Sequence, residues 1–130
     1  MIQLDTNALV WRELAPENLS PGARSAIEAA VDAGEEITTS AITLWEIALL
    51  ASRSKIQVLV PIQSFFREVE ENYKILSLDG AIAIEAAKLP RLFPKDPMDR
   101  LITASAIVND LTLITADRAI LDSKACKLLW

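Results

Sequence analysis

The sequence predicts an α/β protein, a three-layer α/β/α arrangement built on a parallel sheet of four to five strands. Three observations carry that prediction. Short apolar or β-branched runs alternate with longer stretches of helical periodicity, which is the pattern of strand–helix–strand units. Residues able to cap a helix, Ser40, Asp79 and Asp117, follow the later strand-like runs. A chain of 130 residues with 52% apolar content can bury a full core, so residues 1–130 read as a single domain. The crossovers of such a sheet are right-handed. No internal repeat, low-complexity segment or linker interrupts the pattern.

Ile2–Leu4 reads as a short buried strand, and Ala8–Leu14 as a short helix closed before Pro16. Ser20 and Pro21 form a cap and a first-turn proline, so a helix runs from there to about Ala33 and stops at Gly34. Glu36–Thr39 reads as the second strand. Ser40 caps a long helix through AITLWEIALLASRS. Pro61 starts another, IQSFFREVEENY, with Ile62, Phe65, Phe66 and Val69 at helical spacing. ILSL at 75–78 is the third strand, and Asp79 caps the helix GAIAIEAAKL. Asp96 and Pro97 open the helix MDRLITASAIVND. LTLIT at 111–115 is the fourth strand and the strongest β signal. Asp117 stands where it can cap a short helix over Arg118–Leu121, and ACKLLW supplies a fifth strand at an edge.

Composition narrows the function classes. There is no histidine, which removes His-dependent triads and nearly every zinc site. The lone Cys126 forms no internal disulfide. No apolar run approaches the ~18 residues that span a membrane. The start MIQLD lacks the basic and apolar regions of a signal peptide, so the expected location is cytoplasmic, away from membranes. A net charge of −5, with 18 acids against 13 bases, argues on its face against nucleic acid. That argument weakens if several acids hold metal, since two bound divalent cations would cancel most of it. Aromatics are only 5% of the chain, and the aliphatic surplus suggests a surface covered by a partner or a second copy.

In a doubly wound sheet ligands bind at the carboxyl ends of the strands. Asp5 ends the first strand, Asp117 lies just past the fourth, Asp96 and Asp99 open the helix leading into the fourth, and Glu46 lies within the helix after the second. Each strand-end acid has a second explanation. Asp5 can cap the helix that begins near Ala8, Asp117 the helix after it, and Asp96 fits the cap role best. Asp99 can serve the helix dipole alone. Glu46 has no such explanation. It lies inside AITLWEIALLA, a run without another charge and expected to be largely buried. Its neighbours three and four residues away are Ile42, Thr43, Leu49 and Leu50, none of them a cation. A buried carboxylate there needs a distant partner or a raised pKa.

Converging carboxylates repel. Each close pair costs on the order of 4 kcal/mol at ~4 Å with an effective dielectric near 20, against a domain stability of about 5–15 kcal/mol. Such a cluster persists only if protonated or filled with cations. An all-oxygen site without Cys or His selects Mg²⁺ or Mn²⁺, and the chemistry that follows is metal-assisted phosphodiester hydrolysis.

LDTN at 4–7, TxxE at 43–46, DPMDRLITASA at 96–106 and LITAD at 113–117 together resemble the PIN-domain ribonucleases, above all the VapC-type toxins of toxin–antitoxin pairs. The motifs run in the family's order and cover nearly the whole chain. The resemblance implies a PIN-like fold and Mg²⁺- or Mn²⁺-dependent endonucleolytic cleavage of RNA. It maps the catalytic metal ligands onto Asp5, Glu46, Asp99 and Asp117. It gives Asp96 a supporting role, makes Thr6 and Thr115 hydroxyls that hold the carboxylates, and makes Asn7 a buried polar residue that orients the loop. Many relatives carry a His or basic residue just before the DPxDR segment, where this chain has Phe93-Pro94-Lys95. Arg12, Lys95, Arg100 and Arg118 are candidates for RNA phosphate contacts, with ordinary solvated charge as the other explanation. The family's habits further imply a homodimer and a cognate antitoxin. Trp11, Leu14, Trp45, Leu49, Phe65 and Phe66 could line those surfaces, although a place in the core suits most of them.

Three other readings fit less well. A phospho-acceptor domain wants adjacent acids after the first strand and a Lys after the last, where this chain has Thr6-Asn7 and Arg118. The DxDxT of haloacid-dehalogenase phosphatases is absent. A degenerate PIN fold that only binds a protein partner would leave Glu46 without a role.

Overall fold

The structure, a computed structural model, describes all 130 residues. Five short strands form one all-parallel sheet: β1 (Ile2–Leu4), β2 (Thr38–Ser40), β3 (Lys74–Leu76), β4 (Thr112–Ile114) and β5 (Leu128–Leu129). Their order is β3-β2-β1-β4-β5. The chain therefore works outward from β1 in one direction through β2 and β3, then returns to the other side of β1 for β4 and β5. The switch point lies between β1 and β4. The register pairs Leu4 with Thr39 on one side and with Ile114 on the other, so the ends of β1 and β4 are level.

Seven helices complete the chain: α1 (Thr6–Leu14), α2 (Pro21–Asp32), α3 (Ala41–Ser52), α4 (Ile62–Asn72), α5 (Gly80–Lys88), α6 (Pro97–Val108) and α7 (Arg118–Ser123). A single 3₁₀ turn at Pro16–Asn18, which the pattern did not signal, joins α1 to α2. The pleat of β1 separates two cores. Ile2 and Leu4 pack with Leu9, Ile27, Ile47, Phe65 and Val69 on one face. On the other, Leu113 packs with Phe93, Ile102 and Ile120, and a smaller group joins α5 to α6. No helix is long and apolar enough to cross a membrane.

The predicted elements are present, with shifted ends. α1 begins two residues before the expected Ala8, because Asp5 caps it from the end of β1. β2 is displaced toward its carboxyl end, over Thr38–Ser40 rather than Glu36–Thr39. Thr38 and Thr39 are fully buried, and their hydroxyls donate to the carbonyls of Ile2 (2.9 Å) and Leu4 (3.0 Å). A polar strand is thus stable in the interior because each hydroxyl has a main-chain acceptor. Helix α3 departs most from expectation. It was expected to be largely buried, yet only Thr43 and Ile47 are, and Trp45 is 57% exposed. A continuous apolar run cannot reveal which of its sides the sheet covers. Of the aromatic and aliphatic candidates for a surface, Phe65 is core and Trp11 packs at a tilt against Trp130, ring centroids 5.5 Å apart, whereas Leu14 and Trp45 stand exposed.

Candidate active site: a carboxylate pocket at the switch point

Four capped turns build the site. The Asp5 carboxylate accepts from the Ala8 amide (2.9 Å) and starts α1 directly from the end of β1. The Asp117 carboxylate accepts from the Ile120 amide (3.1 Å) and starts α7 just past β4. Asp96 caps α6 through the Met98 amide (2.8 Å), which puts Asp99 in the first turn of that helix. Ser40 caps α3 through the Ile42 amide (3.1 Å) and so sets the direction of Glu46. The cap explanation and the site explanation are therefore compatible: each carboxylate cap commits only one of its two oxygens to the helix amide.

Asp5, Glu46, Asp99 and Asp117 line one pocket of about 150 Å³, with Leu50, Ile102 and Ile120 as its apolar walls. No lysine or arginine lines it, and none of the four acids belongs to an ion pair. The Thr6 hydroxyl donates to Glu46 Oε1 at 2.7 Å and lies 3.3 Å from the Thr43 hydroxyl. The distant partner that Glu46 needs is thus a hydroxyl from α1. The Thr115 hydroxyl accepts from the Asp117 amide at 3.1 Å and pins the turn after β4. Thr43 had no assigned role in the sequence; its spacing of three residues from Glu46 was the available signal.

The electrostatics follow from burial without cations. Burial pushes the Asp5 carboxyl up to about 6, opposed by the Thr115 hydroxyl and the Ala8 amide and reinforced by Glu46 and Asp117. Burial also pushes Asp99 up to about 7, helped by the charges of Asp96, Asp117, Glu46 and Asp5. Glu46 is raised by burial and by Asp96, against the pull of the Thr6 hydroxyl. These groups are within electrostatic reach of one another. They do not form a finished ligand shell, since no three acids stand close enough together to hold an ion as they are. The donor set itself suits a hard divalent cation: all oxygen, anionic, partly desolvated and without a protein counter-charge.

Several expected residues differ from expectation in burial, contacts or place. Asn7 was expected to be buried and to orient the loop. It is exposed, makes no side-chain hydrogen bond and faces the pocket, because the second position of α1 points outward. Arg12 is not at the pocket. Its guanidinium donates to the Tyr73 hydroxyl (2.9 Å) at the opposite end of the sheet. There it lines a larger hollow of about 750 Å³ rimmed by exposed Glu35, Glu36, Glu70 and Glu71. Arg100 is spent on main-chain carbonyls of the preceding loop. Lys95 and Arg118 are exposed and unpaired.

Comparison with known proteins places this arrangement among relatives. A family model for the PIN domain matches residues 2–125. Ribonuclease VapC22 of Mycobacterium tuberculosis is 36% identical over 117 residues, covering 90% of this chain and 87% of that protein. Among solved structures, VapBC2 from Rickettsia felis bound to a promoter DNA fragment superposes with a TM-score of 0.72 at 21% identity, over 98% of this chain and 97% of that one. DNA-bound VapBC from Salmonella typhimurium gives 0.71 at 20% identity, over 98% and 97%. A toxin–antitoxin complex from Klebsiella pneumoniae gives 0.69 at 20%, over 97% and 95%. At these identities the structural likeness is one of fold.

Proposed function

This chain belongs to the PIN-domain family, and from that premise we propose that it is a metal-dependent endoribonuclease and the toxin of a toxin–antitoxin pair. The observation that carries the reading is the pocket at the switch point, where carboxylates from four separate segments meet without a cationic side chain. Asp5, Glu46, Asp99 and Asp117 would hold Mg²⁺ or Mn²⁺, which supplies water activation and charge neutralisation at the phosphodiester. The chain's own residues prepare the site. Thr6 orients Glu46, the Ala8 amide orients Asp5, and the Thr115 hydroxyl fixes the turn that carries Asp117. Asp96 supports the site as the cap that aims α6 and Asp99. Leu50, Ile102 and Ile120 keep the local dielectric low, which strengthens each charge interaction within the pocket. Lys95 and Arg118, exposed and unpaired and next in the chain to Asp96 and Asp117, would meet phosphates of the RNA.

Partners belong to the same reading. The R. felis and K. pneumoniae neighbours are toxin–antitoxin assemblies, and this chain would likewise bind an antitoxin and a second copy of itself. Exposed Trp45 and Leu14 offer apolar surface for such contacts. The enzyme would act in the cytoplasm, where its RNA is.

The test is RNA cleavage by purified protein free of antitoxin, against a structured RNA pool, with Mg²⁺, with Mn²⁺ and with EDTA. Asp5→Asn and Asp99→Asn proteins are prepared identically. Metal-dependent cleavage lost in both variants is the expected result. Cleavage that survives both substitutions would overturn the assignment and point to a contaminating nuclease.

A further inference from the structure

Arg100 follows Asp99 directly, yet its side chain turns away from the pocket. Its Nε donates to the Pro94 carbonyl (3.0 Å), one terminal nitrogen to Leu89 (3.3 Å), and the other to Pro90 (3.2 Å) and Phe93 (3.1 Å). The guanidinium carbon lies 5.6 Å from the centroid of the Phe93 ring. One residue therefore gathers four carbonyls of the segment joining α5 to α6. That segment contains Pro90 and Pro94 and is followed by Pro97, so it has few amides with which to bond itself. Its one internal main-chain bond runs from the Phe93 amide to the Pro90 carbonyl (3.0 Å). Only a planar fork with five donors can serve so many acceptors at once.

The segment has two sides. Phe93 is buried in the second core. Leu92, by contrast, is 99% exposed, and Lys95 is exposed without an ion pair or hydrogen bond. Lys95 immediately precedes Asp96, the cap of the helix that carries Asp99. A lysine presented on a segment that Arg100 holds together suits contact with a flexible polyanion, because pre-ordering the contact lowers the cost of binding.

We propose that Arg100 is a positioning residue for RNA binding: its guanidinium latches the 89–94 segment and thereby holds Lys95 at the entry to the helix that carries Asp99, where it takes a substrate phosphate. The inference rests on the ribonuclease reading above. Arg100 touches no RNA itself. Its contribution passes through the loop, so loss of the latch acts on substrate binding and leaves the chemical step in place.

The experiment measures KM and kcat for a single-stranded RNA probe with Mg²⁺ across a series of KCl concentrations. The proteins are the wild type, Arg100→Lys, Lys95→Ala and the double variant. Binding of the same probe is followed by fluorescence anisotropy in EDTA, and melting curves show that each protein is folded. Arg100→Lys keeps the charge but not the fork. It and Lys95→Ala are each expected to raise KM about tenfold with kcat within about twofold. Each should lower the slope of log affinity against log salt by about 0.7, one phosphate of a single strand. The double variant is expected to be no worse than either single, since both lose the same contact. Effects that multiply in the double variant, or a fall in kcat at unchanged KM, would overturn the latch while leaving the ribonuclease reading intact. A wild type that neither cleaves nor binds the probe would overturn both. Should Arg100→Lys fail to fold, Phe93→Leu loosens the same segment by removing the ring under the guanidinium. It is then expected to raise KM about threefold, and not additively with Lys95→Ala.

Discussion

Asp99 has the least comfortable position of any carboxylate in the chain. Its side chain accepts no hydrogen bond, and burial and four neighbouring acids push its carboxyl up to about 7. Asp99→Asn is expected to abolish metal-dependent cleavage, by at least about a hundredfold, since even losing an outer partner of a metal ligand costs about 10–100-fold. The same substitution is expected to stabilise the metal-free protein at pH 8 by on the order of 1 kcal/mol, after allowing for solvent screening and the lost dipole interaction in the first turn of α6. Urea denaturation in EDTA checks this; a less stable variant would show that Asp99 serves the helix alone. Thr6→Val leaves Glu46 without its hydroxyl donor. It is expected to weaken Mn²⁺ binding about 10–100-fold by calorimetry, with Thr6→Ser near wild type. At this scale the sequence singled out the acids that line the pocket, and Thr6 beside Glu46, because each belongs to a short local pattern. The long side chains were less legible. Arg12 and Arg100 go where tertiary neighbours draw them, and nothing within a few residues of each announces that; Asn7 faces the pocket but is exposed rather than buried.

The helix starts repeat one device. α1, α5, α6 and α7 each begin on an aspartate that accepts an amide from their first turn, and α2 and α3 begin on serines that do the same. Asp79 is the informative control. It caps α5 through the Ile82 amide (3.0 Å) but does not line the carboxylate pocket. Asp79→Ala is expected to cost about 1 kcal/mol of stability and to leave metal-dependent cleavage within about twofold. Asp117→Ala is expected to lose a similar amount of stability and the cleavage as well. Equal activities in the two variants would reduce Asp117 to a cap. These caps were readable because they sit where strand-like runs stop. The strand ends were less readable, since parallel strands buried on both faces lack the alternation that marks a boundary. The 3₁₀ turn after α1 was likewise unmarked.

For the whole molecule the pocket is a stored cost that should appear as a pH dependence. Asp5 at about 6 and Asp99 at about 7 lie above their ordinary values near 4, and Glu46 is raised as well. Between pH 4 and 7 the folded chain therefore binds more protons than the unfolded chain, so stability falls as pH rises through that window. The Tm of the metal-free protein is expected to be highest near pH 4, at the acid end of that window, and to drop by several degrees toward pH 8. Saturating Mg²⁺ is expected to restore it at pH 8, with about 2.7 kcal/mol available at a hundredfold excess over Kd, and to do much less at pH 5, where protons compete. Scanning calorimetry in EDTA and in Mg²⁺ decides this. A Tm that rises from pH 5 to 8 without metal would mean that the acids are not held together as described.

The order of elements, the caps, the parallel sheet and the four acids could all be read from the chain alone. They depend on short-range chemistry: which residues cap, which turn, which alternate, and how an uncompensated charge stands out in an apolar run. Tertiary structure alone decided which side of α3 is covered, that Thr6 meets Glu46 across 40 residues of chain, and that Arg100 faces a loop rather than a substrate. Those outcomes depend on how separate segments converge in space, and a one-dimensional pattern carries little information about the direction in which a long, flexible side chain finds its partners.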